Sequence, residues 1–188
     1  MHMPEEKREN FFTELLKFAC IALAIVLPVR LFIAQPFIVS GASMVPTFES
    51  GEYLIIDELS YRLSEPMRGD VVIFRYPKDT TEFFIKRIIG LPGEVVTITQ
   101  GIITVEKTDG TVQTLTDQYV THAGNGGNQH YIVPSESYFV LGDNRPESSD
   151  SRTWGFVPRK NIVGKTFVRL LPLQSIELFP GTLEAQTL

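Results

Sequence analysis

Ser43 and Lys86 are the two side chains whose types and neighbours point most directly to covalent chemistry. Ser43 lies in "SGASMVPT", residues 40–47, a run of small residues restrained by Pro46. Gly41 and Ala42 leave room there for a second main chain to lie close. A serine hydroxyl attacks a carbonyl only when a base takes its proton, and histidine is the usual base. The histidines are His2, His122 and His130, and the last two flank the Gly/Asn-rich stretch "HAGNGGNQH". Such a stretch is poorly suited to fixed geometry, and the pair reads as solvent-exposed rather than as a metal site. The other base is a lysine stripped of its charge. Lys86 lies in "FFIKRIIGLPG", where period-two alternation puts Phe84 and Ile88 on its own face and Arg87 on the other.

The magnitude decides whether that is feasible. A lysine of pKa about 10.4 is neutral in fewer than roughly one molecule in a thousand at pH 7. Desolvation that lowers it by about two units costs roughly 3 kcal/mol, within what an apolar pocket supplies. Residue type alone favours a plainer reading, a lysine snorkelling from an edge strand. The backbone N–H of Ser43 is a candidate donor to the oxyanion. Further on, "GDNRPESSDSRTWGFVP" places Asp150 and Arg152 two apart on an extended stretch, so that they point to one side. By itself that block also reads as a surface turn with a salt bridge. Asp143 and Asp150 could form an acidic dyad, but nothing in the sequence brings them together.

The elements that must position these groups are mostly strands. Residues 1–10 precede an apolar segment over 11–34, read as one transmembrane helix with Lys17 and Arg30 snorkelling to opposite interfaces. Lys7, Arg8 and Lys17 on its amino side put the N-terminus in the cytoplasm. A cleaved signal peptide is the competing reading, because "ALA" at 22–24 resembles a cleavage site, although it falls inside the apolar run. Residues 35–188 then form an extracytoplasmic domain of short branched and aromatic runs: "EYLIIDEL", "GDVVIFRYP", "EFFIKRIIG", "EVVTITQGIITVE", "SYFVLGDN" and "IVGKTFVRLLP". Asp109-Gly110 signals a hairpin, residues 115–130 read as a loop, and 103–130 as a variable insertion. The expected fold is mostly β, with sheets folded on themselves. The single cysteine, Cys20, excludes an intrachain disulfide, and the net charge of −5 argues against a nucleic-acid partner.

The blocks "SGASMVPT", "FIKRIIGLPGE" and "GDNRPESSDSRTWGFVP", in that order and spacing, resemble the type I signal peptidases, membrane-anchored serine proteases with a Ser/Lys dyad. The resemblance runs from the anchor to about Lys165 and leaves 103–130 unmatched. It implies a signal-peptidase-like folded β-sheet domain in a bacterial-type inner (plasma) membrane. It implies Ser43 as nucleophile, Lys86 as general base and Ser148 as the hydroxyl that orients the lysine. Gly41, Met44 and Phe84 would bind substrate, and Arg87, Asp143, Asp150 and Arg152 would support the site. The partners implied are signal peptides of exported preproteins, cut after small residues at −1 and −3, and the lipid bilayer; no metal or cofactor is implied. Where some members carry a serine oxyanion donor, this chain has Gly41, and Pro146 and Glu147 replace the usual Asp-Asn. Self-cleaving SOS-type repressors share a similar serine turn and lysine strand, but carry an N-terminal DNA-binding domain where this chain has an apolar segment. A tethered β domain that binds exported peptides without cutting them is the non-enzymatic alternative.

Overall fold

The structure, a computed structural model, describes residues 11–32, 34–115 and 128–182. Helix α1 (Phe11–Phe32) stops short of the expected boundary at 34, because Ala34 already pairs with Asp57 as the first residue of strand β1 (Ala34–Ile38). Its described side chains are exposed apart from a half-buried Ala22; those at 25 and 27–32 lie outside the described ones. Among the described residues no helix is long and apolar enough to cross a membrane.

The strands that follow are β2 (Tyr53–Asp57), β3 (Val71–Tyr76), β4 (Asp79–Gly90), β5 (Val95–Thr99), β6 (Ile102–Glu106) and β7 (Val112–Leu115). After them come β8 (Gln129–Ile132), β9 (Ser137–Leu141), β10 (Val157–Pro158), β11 (Ile162–Leu171) and β12 (Glu177–Leu178). They make two sheets. The larger runs β1-β2-β11-β3-β4-β9-β10 with β12 on β11, and the smaller runs β7-β6-β5-β8. Every pairing is antiparallel. Two single helical turns, α2 (Ser60–Leu63) and α3 (Ser151–Trp154), interrupt the β structure.

Alternation explains the layering. In β3 the side chains of Val72 and Phe74 enter one core with Ile88, Tyr138, Val140 and Trp154. Val71 and Ile73, pointing the other way, join Val39, Met44, Phe48, Leu54 and Ile56. A strand apolar on both faces is buried on both, and β3 sits between β11 and β4 accordingly. Strand β9 divides likewise: Tyr138 and Val140 face the first core, while Phe139 and Leu141 meet Val96, Ile98, Ile103 and Val105 of the smaller sheet. Each such fully buried side chain stabilises the fold by about 1.5–3 kcal/mol.

The polar stretch read as a loop over 115–130 is corrected at its end. Gln129–Ile132 forms β8, whose Tyr131 and His130 pair with Val96 and Thr97 of β5. Half of β8 is exposed, so its own residues carry little apolar signal; the β5 edge recruits it through main-chain hydrogen bonds. The Asp109-Gly110 turn joins β6 to β7, with the Asp109 carboxylate accepting from Thr111 N at 2.8 Å.

The smaller sheet gives a direct test of the alternation. Ile103 is fully buried and its neighbour Ile102 exposed. Ile103→Ala is expected to cost about 2–5 kcal/mol, and Ile102→Ala to stay within about 0.5 kcal/mol, as measured by urea unfolding of both variants.

Candidate functional site

The turn carrying Ser43 is fixed from below and from the side. Beneath it Met44 and Phe48 are sealed into the core with Leu54, Ile56, Val71 and Ile73. At its start Gly41 takes φ +91°, the left-handed region in which an L side chain is strained. A serine at that position would find open space for its Cβ but would be strained by this backbone, which favours the glycine.

Lys86 approaches Ser43 from β4. Its Nζ lies 2.7 Å from Ser43 Oγ and also donates to Ile85 O at 2.8 Å. The lysine is only 4% exposed, and its Nζ stands 5.5 Å from the centre of the Phe84 ring. Burial pulls the amine from its ordinary 10.5 down to about 8, against the opposing pull of the Asp150 and Asp143 carboxylates. An aliphatic stem in a greasy slot with the head group held at a hydroxyl is not a snorkelling lysine.

Next in sequence, Arg87 points to the opposite face of β4 and is buried. Its Nε and Nη2 donate to Asp143 at 2.9 and 2.6 Å, and its Nη1 donates to Gly69 O and Gly181 O. Asp143 also accepts from Thr47 Oγ1 at 2.6 Å. One carboxylate therefore ties the lysine strand to the serine turn. The neighbouring Asn144 completes the clamp, its backbone N–H donating to Ser43 O and its amide to Ala42 O, both at 3.0 Å. Asp150 is buried, accepts from Arg152 Nε and Nη2 at 2.8 and 2.9 Å, and takes the Gly142 N–H at 3.1 Å. A Cβ on Gly142 would overlap Ser43 O and Ser148 Oγ, so only glycine lets the two turns approach this closely.

Two expectations need correction. Met44 is 1% exposed and packs in the core beneath the turn instead of lining a cleft, because Leu54, Ile56, Val71 and Ile73 of the neighbouring strands enclose its side chain. Ser148 does not reach the lysine: its Oγ is buried without a hydrogen-bond partner, and the amine uses Ile85 O as its second acceptor. Gly41 and Phe84 do line a cleft of about 500 Å³ that contains Ser43 and Lys86 and is walled by residues 37–43 and 82–86. A larger, open hollow of about 790 Å³ beside Arg169 contains neither. Its Arg169 is engaged by Glu52 at 2.7 Å and by Glu177. Sequence reasoning missed Thr47, although it lies four residues past the serine. Among the described residues no group of three His, Cys, Asp or Glu could hold a metal ion. His130 Nδ1 sits 3.2 Å from Thr97 Oγ1, and His122 lies outside the described residues.

The Arg87–Asp143 pair is fully desolvated, so removing one charge strands the other. Asp143→Asn is expected to destabilise the protein by about 3 kcal/mol or more, and Arg152→Ala, which leaves the fully buried Asp150 carboxylate without its guanidinium, to cost a comparable amount. Urea midpoints of the two variants check both.

Comparison with known proteins identifies the family. The family described as signal peptidase, peptidase S26, matches residues 12–171. A probable signal peptidase I-2 from Synechocystis sp. is 36% identical over 187 residues, covering 97% of this chain and 84% of the relative. The signal peptidase I of Leptolyngbya laminosa is 35% identical over 185 residues, with coverage of 94% and 88%. That of Bacillus caldolyticus is 36% identical over 166 residues, with 82% and 88%. A crystal structure of a signal peptidase I from Enterococcus faecalis V583 is 32% identical, with a TM-score of 0.45 over 54% of this chain and 97% of that chain. With the family matched over most of its length, the chain belongs to the signal peptidases of peptidase family S26 and is a serine endopeptidase.

Proposed function

We propose that this endopeptidase removes signal peptides from exported preproteins through a Ser43/Lys86 dyad and an acyl-enzyme. The observation that carries the reading is the 2.7 Å approach of a buried amine to the Ser43 hydroxyl. In its neutral form the Lys86 amine offers a lone pair, and Ser43 Oγ–H donates to it. As Oγ attacks the scissile carbonyl, the proton passes to Nζ and the carbonyl electrons move onto oxygen, next to the Ser43 backbone N–H. The Lys86 ammonium then protonates the leaving amine and the C–N bond breaks. The regenerated neutral amine takes a proton from water as that water attacks the acyl ester, and returns it to Ser43 Oγ as the C–O bond breaks, freeing the serine and the carboxylic acid product.

The unpaired part of β4 supports an extended substrate. Strand β9 pairs with β4 only at Arg87, Ile88 and Gly90, so residues 82–86 have β3 as their described strand partner and form one wall of the cleft. A peptide laid along that edge gains main-chain hydrogen bonds, and shallow apolar pockets beside Phe84 admit only small side chains at −1 and −3. The anchor reading rests on the apolar segment. Phe11, Phe12, Leu15, Leu16, Phe18, Ile21, Leu23 and Val26 are all exposed on α1, as suits a single span in an inner membrane. The cytoplasmic end would be the Lys7/Arg8 side and the catalytic domain extracytoplasmic. A tether of this kind keeps the cleft near the surface where translocated cleavage sites emerge.

The dyad has a pH signature. Only the neutral amine is a base, and at pH 7 about one-tenth of it is neutral given a pKa of about 8. The rate constant kcat/KM for an alanine-x-alanine peptide is therefore expected to rise with pH and level off above about 9. Ser43→Ala and Lys86→Met are each expected to abolish cleavage, and retention of activity in both would refute the dyad. Binding without turnover by the unmodified chain would favour the non-enzymatic alternative.

Stability should move the other way in Lys86→Met. The unfolded lysine holds its proton up to about 10.5 and the folded one only to about 8. Below pH 8 the fold thus bears a penalty of roughly 3 kcal/mol, which disappears as pH rises to 10.5. The melting temperature of the methionine variant relative to the unmodified chain is expected to be highest near pH 7 and to decline by pH 10.

A further inference from the structure

We propose that Tyr76 and Trp154 are positioning residues for the reaction, clamping the Phe84 ring against Lys86 so that water is kept from the amine. The inference rests on the dyad reading above and extends it to two aromatic residues outside the cleft.

The geometry is that of a buttressed ring. Phe84 stands on the Lys86 face of β4, its centre 5.5 Å from Nζ. Tyr76 stacks on it at 4.6 Å with an interplanar angle of 12°. Trp154 meets both rings edge-on, at 6.4 Å and 68° for Phe84 and 5.7 Å and 80° for Tyr76. Phe74 closes the group, 6.2 Å from Phe84 and 5.8 Å from Trp154. Phe84 lines the cleft, whereas Tyr76 and Trp154 are not among its walls. A lone phenylalanine on a cleft wall can turn about χ1 and admit water; one stacked on one side and held edge-on at another cannot. A break in the β3–β4 register between Arg75 and Tyr76 pairs Tyr76 with Asp79 instead of Glu82, and such a bulge re-aims its side chain.

Trp154 has a further connection. It closes the turn α3, whose N-cap is Asp150, so the same turn that fixes Gly142 also fixes the ring behind Phe84. The charged groups around the amine are the Asp143 and Asp150 carboxylates, each paired with an arginine, and Glu82 and Glu147 on the cleft walls. None of them belongs to the aromatic group, so replacing Tyr76 leaves the charges in place and changes only the greasy wall.

The test is the pH dependence of kcat/KM in the full-length protein, in detergent, with an alanine-x-alanine peptide. Tyr76→Ala is expected to move the rising limb from about 8 to about 9, because a wetter amine holds its proton more tightly. Activity at pH 7 then falls about tenfold and is regained near pH 9.5. Tyr76→Phe keeps the stack and is expected to restore the original limb. Emission from Trp154, the single tryptophan, reports whether each variant is folded; should Tyr76→Ala not fold, Tyr76→Leu takes its place. An unmoved limb, an equal loss at every pH, or a Tyr76→Phe variant that behaves like Tyr76→Ala would overturn the proposal. Failure of the dyad itself would show separately, as activity surviving in Ser43→Ala.

Discussion

A lysine amine loses its proton well below its ordinary pKa only if water is excluded from it and no unbalanced negative charge lies close by. Both conditions constrain the architecture around Lys86. Exclusion of water comes from β3, β4 and the aromatic group around Phe84. The charge condition is harder, because the Asp143 and Asp150 carboxylates both pull the amine upward. Each is bound in bidentate fashion to a guanidinium, Arg87 and Arg152 respectively. The pairs are close to neutral at a distance yet strongly directional at contact. That combination explains why charged groups can sit here. They hold the serine turn through Thr47 and Gly142 while the Lys86 amine stays below its ordinary pKa.

Strand β4 carries the consequences of this arrangement in consecutive residues. Lys86 faces one layer and Arg87 the other, so a slip of one residue in the β3–β4 register would exchange the two side chains between layers. Several features oppose such a slip. Val72 and Phe74 meet Lys86 and Phe84 in register on one face, and Arg87 is locked to Gly69, Asp143 and Gly181 on the other. Beyond Arg87 the strand pairs with β9, and before it that edge forms the cleft. One strand thus supplies a buried core segment and a binding edge.

The alternation of β3, β4 and β9 was legible in the sequence because each residue's neighbours two positions away share its environment. The small-residue serine turn and the apolar-flanked lysine were each legible as local patterns, but residue type alone favours a snorkelling lysine, and their pairing was readable only through the family resemblance. What the sequence hid is tertiary. Met44 follows Ser43 in a turn, and whether it lines a cleft or enters the core depends on Leu54 and Ile73 from distant strands. Ser148 has the right residue type to hold an amine, but the turn that carries it leaves its hydroxyl unpartnered and gives the second hydrogen bond to Ile85 O. Strand β8 exists because β5 offers an edge, not because "QHYI" alternates strongly. The stacking of Tyr76 on Phe84 joins side chains of two strands whose register no local pattern announces.

The cost of burying the protonated amine explains why so much apolar surface is concentrated there. A penalty of roughly 3 kcal/mol at pH 7 is a sizeable share of the 5–15 kcal/mol by which an ordinary domain is stable. It must be offset by burial that does not depend on the lysine. The core behind it contains Tyr61, Val72, Phe74, Ile88, Tyr138, Val140 and Trp154, all buried, and at about 1.5–3 kcal/mol per side chain these exceed the penalty several-fold. Placing the lysine at the rim of that core, with its head at the cleft and its stem along the apolar wall, keeps the destabilisation confined to one group. The buried amine sits where the strand edge opens to the cleft, and the stabilising contacts lie directly behind it.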